Sequence, residues 1–252
     1  MIARIISLYD EGAIVSTPLV GAKGFSVIVE IGESKIMFDT GKLGRYLMTN
    51  MMHLDLKSES ISKVVFSHGD KEYTGGLNGL LKDRETPIEV IYLGSAEGSK
   101  TMFGHKGVYI APENSDKAIL IATEGWTEIV EGLYLSPAMR SSDGTEESFL
   151  VLMAKKGPVV ISACSSCGVD KIMDAVKERF GRDPVAYFGG VSIRKKDKTK
   201  ASFIAKEFSS RGCNDLHLNH TTGIEGMMYL RMDLGLRGVE DFFVGSVSEY
   251  EV

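Results

Sequence analysis

Residues 64–77 read VVFSHGDKEYTGGL. A β-branched and aromatic run stops at Ser67, and Gly75 and Gly76 open a second stretch, TGGLNGLLKDR, with apolar residues at helical spacing. Between the two lie His68, Asp70, Glu72 and Tyr73. A strand-to-loop turn with an imidazole and two carboxylates is the kind of place where a divalent ion is held.

The same grammar extends outward in both directions. Short apolar runs bounded by Gly, Pro, Asp or Ser recur: ARIISLYD, GFSVIVEIG, SKIMFDTG and IEVIYLG, then AILIAT, TEIVEGLYLSP, ESFLVLMAKKG, GPVVISAC and PVAYFGGVSI. Helical periodicity marks LGRYLMTNMMHLDL, GVDKIMDAVKERFG, TKASFIAKEFSSRG and GIEGMMYLRMDLG. Strand-helix alternation at both ends, with a strand-rich middle, predicts an α/β protein of sheets covered by helices on their outer faces. No linker, low-complexity tract or short repeat interrupts it. The chain reads as one domain over 1–252, built of two similar halves that meet near residues 130–150.

Composition bounds the function. The 252 residues are 43% hydrophobic and 25% charged, with a formal charge of −5. That balance gives no reason to expect nucleic acid or an anionic membrane as partner. No apolar run approaches the ~20 residues that span a bilayer. The start, MIARIISLYDEG, lacks the apolar core and cleavage site of a secretory signal, so a cytoplasmic protein is expected. Cys164, Cys167 and Cys213 are an odd count, which argues against a disulfide framework. Cys164 and Cys167 form a C-x-x-C that reads as a redox pair, half of a zinc site, or two small core residues; no second C-x-x-C completes a four-thiolate site. The twelve Met residues, several of them in MTNMMHLDL and GMMYLRM, suit a core or a subunit contact, so a homo-oligomer stays open.

Five strand ends carry polar chemistry: MFDTGK with Asp39, FSHGDKEYTGGL, VISACSSCGV with Cys164 and Ser166, YFGGVSI with Ser192, and LHLNHTTG with His217 and His220. Their order and spacing resemble the metallo-β-lactamase superfamily, most closely its metal-dependent hydrolase branch, the group of the archaeal pterin-pathway synthase. The resemblance spans nearly the whole chain. It implies an αββα sandwich, two mixed sheets with helices outside and the site at the edge where the sheets meet.

The metal loop departs from that family. The usual His-x-His-x-Asp-His becomes His68, Asp70, Glu72 and Tyr73. Ser166 and Ser192 stand where further imidazoles are usual, and His220 keeps the late His. The resemblance therefore implies at most one divalent ion (Zn, Mn or Fe) on His68, Asp70, Glu72 and His220. Asp70, Glu72 and Tyr73 are the candidate catalytic groups. Ser166, Ser192 and Cys164 are candidates for substrate contact, and Asp39 for structural support of the loop. Tyr73 is a poor ligand at neutral pH, with a phenol pKa of about 10. The basic run SIRKKDKTK, residues 192–200, reads as a solvated loop or as a clamp for an anionic substrate.

Three functions remain open. One is a one-metal hydrolase of a small-molecule ester, lactone or phosphate ester, in which the ion activates water. Another is a metabolite-binding or regulatory protein on the same fold, with Ser166, Ser192, Tyr73 and His220 lining a polar pocket and no metal. The third rebuilds the metal site with Cys164 and Cys167 thiolates.

Overall fold

The computed structural model describes residues 1–101, 104–193 and 195–252, the side chains of 99–105 apart. The chain divides into two compact units, Met1–Gly125 with Phe243–Tyr250, and Trp126–Phe242 with the last two residues. The division falls just ahead of the 130–150 stretch.

The first unit is built on a seven-stranded mixed sheet. Antiparallel β1 (Ile2–Tyr9), β2 (Ser26–Ile31) and β3 (Ser34–Phe38) lead into parallel β4 (Lys63–Val65) and β5 (Ile88–Leu93). A small ribbon, β6 (Ser99–Thr101) and β7 (Gly104–Lys106), precedes β8 (Ala118–Thr123), which lies parallel beside β5. The C-terminal strand Val247–Glu251 closes the other edge, next to β1. Helices α1 (Gly44–His53) and α3 (Leu77–Lys82) bring Leu47, Met51, Leu77, Leu80 and Leu81 against Ile28, Met37, Val64 and Val90. The alternate strand residues Ile5, Val27, Val29, Ile36 and Phe38 are buried as well. Burial on both faces is why these strands read as unbroken apolar runs rather than as alternating ones.

The second unit repeats the plan. Antiparallel β9 (Thr127–Val130), β10 (Leu133–Leu135), β13 (Leu150–Ala154) and β14 (Gly157–Ser162) lead into parallel β15 (Ala186–Gly189), β16 (Asp215–Leu218) and β17 (Glu240–Asp241). A short ribbon of β11 (Met139–Arg140) and β12 (Glu146–Glu147) stands before β13. Helices α4 (Val169–Phe180), α5 (Lys198–Ser210) and α6 (Ile224–Leu234) cover one core with Ile172, Met173, Ile204, Phe208, Met227 and Leu230. Two mixed sheets with helices are the α/β class that the sequence predicts. Among the described residues no helix is long and apolar enough to cross a membrane.

Candidate functional site: the His68 loop and a hydroxyl-lined pocket

In the first unit, β4 delivers Ser67 and His68 into a short one-turn helix, α2 (Lys71–Thr74). The loop is fastened to the Asp39–Thr40 turn: the Thr40 amide donates to the Tyr73 carbonyl at 2.6 Å and its hydroxyl to the same oxygen at 2.9 Å. Gly76 makes that approach feasible, since a Cβ there would stand 2.0 Å from the Thr40 carbonyl oxygen.

Asp39 is fully buried, with φ near 59°. Its carboxylate accepts the Ser67 amide at 2.9 Å and the Ser67 hydroxyl at 2.7 Å. The Ser67 Oγ also lies 2.8 Å from Nδ1 of His68. A hydroxyl has one proton, and a carboxylate only accepts, so the Ser67 proton goes to Asp39 and His68 Nδ1–H donates to Ser67. The imidazole is thereby fixed with a bare lone pair on Nε2. That lone pair lies 3.7 Å from Oδ2 of Asp70, beyond hydrogen-bond range. Tyr73 is buried and covers the imidazole face, with ring centroids 4.2 Å apart and planes tilted by 45°.

Glu72 turns elsewhere. Its Oε1 lies 2.8 Å from Nζ of Lys23 and 3.6 Å from Nζ of Lys42. Partial burial works to raise its carboxyl, but the two ammonium groups prevail and hold it below the ordinary range. The hydrogen bond to Glu72 raises Lys23 in return.

In the second unit the turn after β14 wraps a carboxylate that the sequence analysis missed. Glu147 is 3% exposed. Its Oε1 accepts the Cys164 amide at 2.8 Å, the Ser165 amide at 3.1 Å and the Ser162 hydroxyl at 3.1 Å. Its Oε2 accepts the Ser166 amide at 3.0 Å and the Ser166 hydroxyl at 2.8 Å. The Cys164 carbonyl accepts the Ser192 hydroxyl at 2.6 Å. All three cysteines are free thiols. Burial pushes the Cys167 thiol up to about 12, with the neighbouring Glu147 charge adding to the effect.

Ser166 and Ser192 meet in one pocket of about 540 Å³, lined also by Ser141, Ser142, Asp143, Ile193, Asp197, Lys200 and Thr221. Each wall is set by local chemistry. Ser192 holds a left-handed φ of 48°, braced by its bond to Cys164 and by Lys200 Nζ, which donates to its carbonyl at 2.7 Å. Asp197 caps α5 by accepting the Lys200 amide at 3.0 Å. Thr221 donates its amide and its hydroxyl to Asn219, both at 2.9 Å. Gly190 lies under that wall; a Cβ there would collide with the Thr221 hydroxyl at 1.7 Å. Of the basic run, Lys195, Lys196 and Lys198 are exposed, Lys200 reaches the pocket, and Arg194 lies outside the described residues. His220 opens the 3-10 turn His220–Thr222 and is half-buried. His217 stacks on Phe188 at 4.5 Å and lies 2.8 Å from Asp215.

No family profile matches the chain. A crystal structure of a metal-dependent hydrolase of the β-lactamase superfamily superposes with a TM-score of 0.79 at 23% identity, over 99% of this chain and 100% of that one. The metallo-β-lactamase fold protein YhfI from Bacillus subtilis gives 0.67 at 14% identity, over 98% and 99%. A diphosphatase of the PhnP family gives 0.63 at 14%, over 100% and 98%. This chain has the metallo-β-lactamase fold. A 7,8-dihydropterin-6-methyl-4-(β-D-ribofuranosyl)-aminobenzene-5′-phosphate synthase from Methanocaldococcus jannaschii is 23% identical over 266 residues, 88% of each chain.

The metallo-β-lactamase fold raises the question of a resident metal, which the donors themselves can answer. Among the described residues no group of three or more His, Cys, Asp or Glu side chains could hold an ion. Glu72, expected as ligand and base, is committed to Lys23 and Lys42. Cys167 is held as a thiol, and the Ser166 hydroxyl points its proton at Glu147. Of the expected set, His68 and Asp70 stand 3.7 Å apart in the first unit, Glu72 is drawn away to its lysines, and His220 belongs to the second unit. Lys23, Lys42 and Glu147 carried no signal in the sequence, whereas Lys200 lies in the basic run read there as a candidate clamp and the hydroxyl-rich SSDG at 141–144 offered a hint that was not used.

Proposed function

We propose that this chain is a metallo-β-lactamase-fold protein that binds a polar small molecule in the hydroxyl-lined pocket of its second unit, in place of metal-dependent hydrolysis. The observation that carries this reading is the fate of Glu72. The loop's most extended carboxylate is neutralised by two lysines of its own unit. A ligand class follows from the pocket wall. Five hydroxyl-bearing residues, two carboxylates and one ammonium line it, a net formal charge of −1. Asp143 and Asp197 can accept from vicinal hydroxyls, as acidic residues do on ribose. Ser141, Ser166, Ser192 and Thr221 add further polar contacts. A ribose-bearing metabolite suits this wall, and the name of the M. jannaschii relative contains a ribofuranosyl group.

A second reading keeps a hydrolase, acting on an ester, lactone or phosphate ester with one ion. The Asp39–Ser67–His68 chain favours it, because it orients an Nε2 lone pair as the outer partners of metal-bound imidazoles do. The two readings separate in one experiment on untagged protein. Binding predicts substoichiometric Zn, Mn and Fe by elemental analysis and no melting-temperature rise when each is added. It also predicts that at least one compound from a panel of ribonucleosides and ribosylated aromatics raises the melting temperature, and that Thr221→Val abolishes the rise. Near-stoichiometric metal that is lost in the His68→Ala, His220→Ala double variant would establish the hydrolase instead.

A further inference from the structure

Helix α6 presents two faces. Gly226, Met227 and Leu230 are buried against its own unit. On the opposite face Ile224 is 92% exposed, Met228 50%, Met232 64%, and Leu236, just past the helix end, 83%. The spacing of four residues places the first three in one line along the helix. Together they expose on the order of 500 Å² of contiguous apolar surface, the size at which a patch on a soluble protein marks an interaction site.

We propose that this stripe is the two-fold interface between two copies of this chain, with α6 packed antiparallel against its partner. An isologous contact demands self-complementarity, and the stripe supplies it. An axis between Met228 and Met232 sets Met228 against Met232 of the partner subunit, and Ile224 against Leu236 of the partner subunit. The charges agree with this orientation. Glu225, at the start of the helix, accepts the Lys196 amide but pairs with no cation among the described residues. Arg237, just past the end, is exposed and pairs with no carboxylate among them. Antiparallel packing brings Glu225 to Arg237 of the partner subunit, twice by symmetry; parallel packing would set like charges together. A pair buries ~1,000 Å² of apolar surface before any polar rim, which reaches the threshold for a specific interface.

Sedimentation velocity on the full chain from 5 to 100 μM tests this. The expected species has twice the 27.5 kDa chain mass. Met228→Glu with Met232→Glu should yield a folded monomer with the wild-type circular-dichroism spectrum, since Met228 is half exposed and Met232 mostly exposed in the single chain; only the part of the melting temperature that depends on protein concentration should be lost. Arg237→Glu should weaken association at least tenfold, and adding Glu225→Arg should restore it. A wild-type chain that stays monomeric at 100 μM overturns the proposal, as does a dimer indifferent to the Met variants. A monomer that floats with anionic lipid vesicles through the same stripe would reassign the face to a membrane surface and also overturn it.

Discussion

Glu147 offers a sharp test of how the second unit's turn is built. The carboxylate is buried, and among the described residues its hydrogen-bond partners are hydroxyls and amides of residues 162–166. Glu147→Gln keeps shape and volume but replaces one acceptor by an NH₂ group. With the amide oxygen at Oε1, the bonds from Ser162, Cys164 and Ser165 survive in weaker, neutral form. The NH₂ then faces the Ser166 amide, a donor against a donor. The Ser166 hydroxyl can rotate to accept, so one backbone N–H is left without an acceptor. An unsatisfied buried donor costs about 1–3 kcal/mol, and weakening three charge-assisted bonds adds roughly 1–2 kcal/mol. A loss of about 3 kcal/mol lowers the melting temperature of a protein of this size by roughly 6–12 °C. Calorimetry measures the shift, and hydrogen exchange should show faster exchange at the amides of Cys164, Ser165 and Ser166. A melting temperature within 1 °C of wild type, with unchanged exchange there, would refute the reasoning.

Other outcomes follow from the same contacts. Ser67→Ala removes the hydroxyl that donates to Asp39 and accepts from His68 Nδ1, leaving the Ser67 amide bond to Asp39 in place, so it should cost about 1–3 kcal/mol. Nitrogen NMR of His68 should then change from a single Nδ1–H tautomer to a mixture; a wild-type Nε2–H tautomer would contradict the assigned relay. Glu72 has a folded pKa below its ordinary 4.5, so its contribution to stability is present above that pH and lost as pH falls through the lower folded value. Acid titrations should accordingly be shallower below pH 4.5 in Glu72→Gln than in wild type, and coincident curves would count against the lysine pairing. Cys167, moved from an ordinary 9.0 to about 12, has a thiolate fraction at pH 8 roughly a thousandfold below normal. A disulfide reagent should therefore spare Cys167 and buried Cys213 until the protein is unfolded; prompt native labelling of Cys167 would disprove its burial as a thiol.

The fold was legible because glycines and β-branched runs punctuate the chain where its strands end. The five predicted helices all occur, as α1, α3, α4, α5 and α6, while α2 is a single turn too short for any periodicity to show. The C-terminal strand Val247–Glu251 was missed because its sequence, VSEYE, places alternate side chains in solvent and offers no apolar run. The site was legible only where loops announce themselves. Ser166 and Ser192 line one pocket, whose wall, among the described residues, includes neither Tyr73 nor His220, the other two residues expected beside them. Glu72 looked like a ligand because nothing local reveals that Lys23 and Lys42, far back in the chain, reach it. Glu147 gave no signal, since its donors come from the end of β14 and the turn after it, 15–19 residues further on. On α6 a sequence apolar nearly all round could not say which methionines face inward.

The strand at the edge beside β1 has a consequence for biogenesis. During synthesis the first 125 residues leave the ribosome with β1 lacking its outer neighbour, its backbone amides and carbonyls open to water or to another nascent chain. Only after the whole of the second unit has emerged can residues 247–251 seal that border, so the chain's final stretch serves as the latch of the unit that was made first.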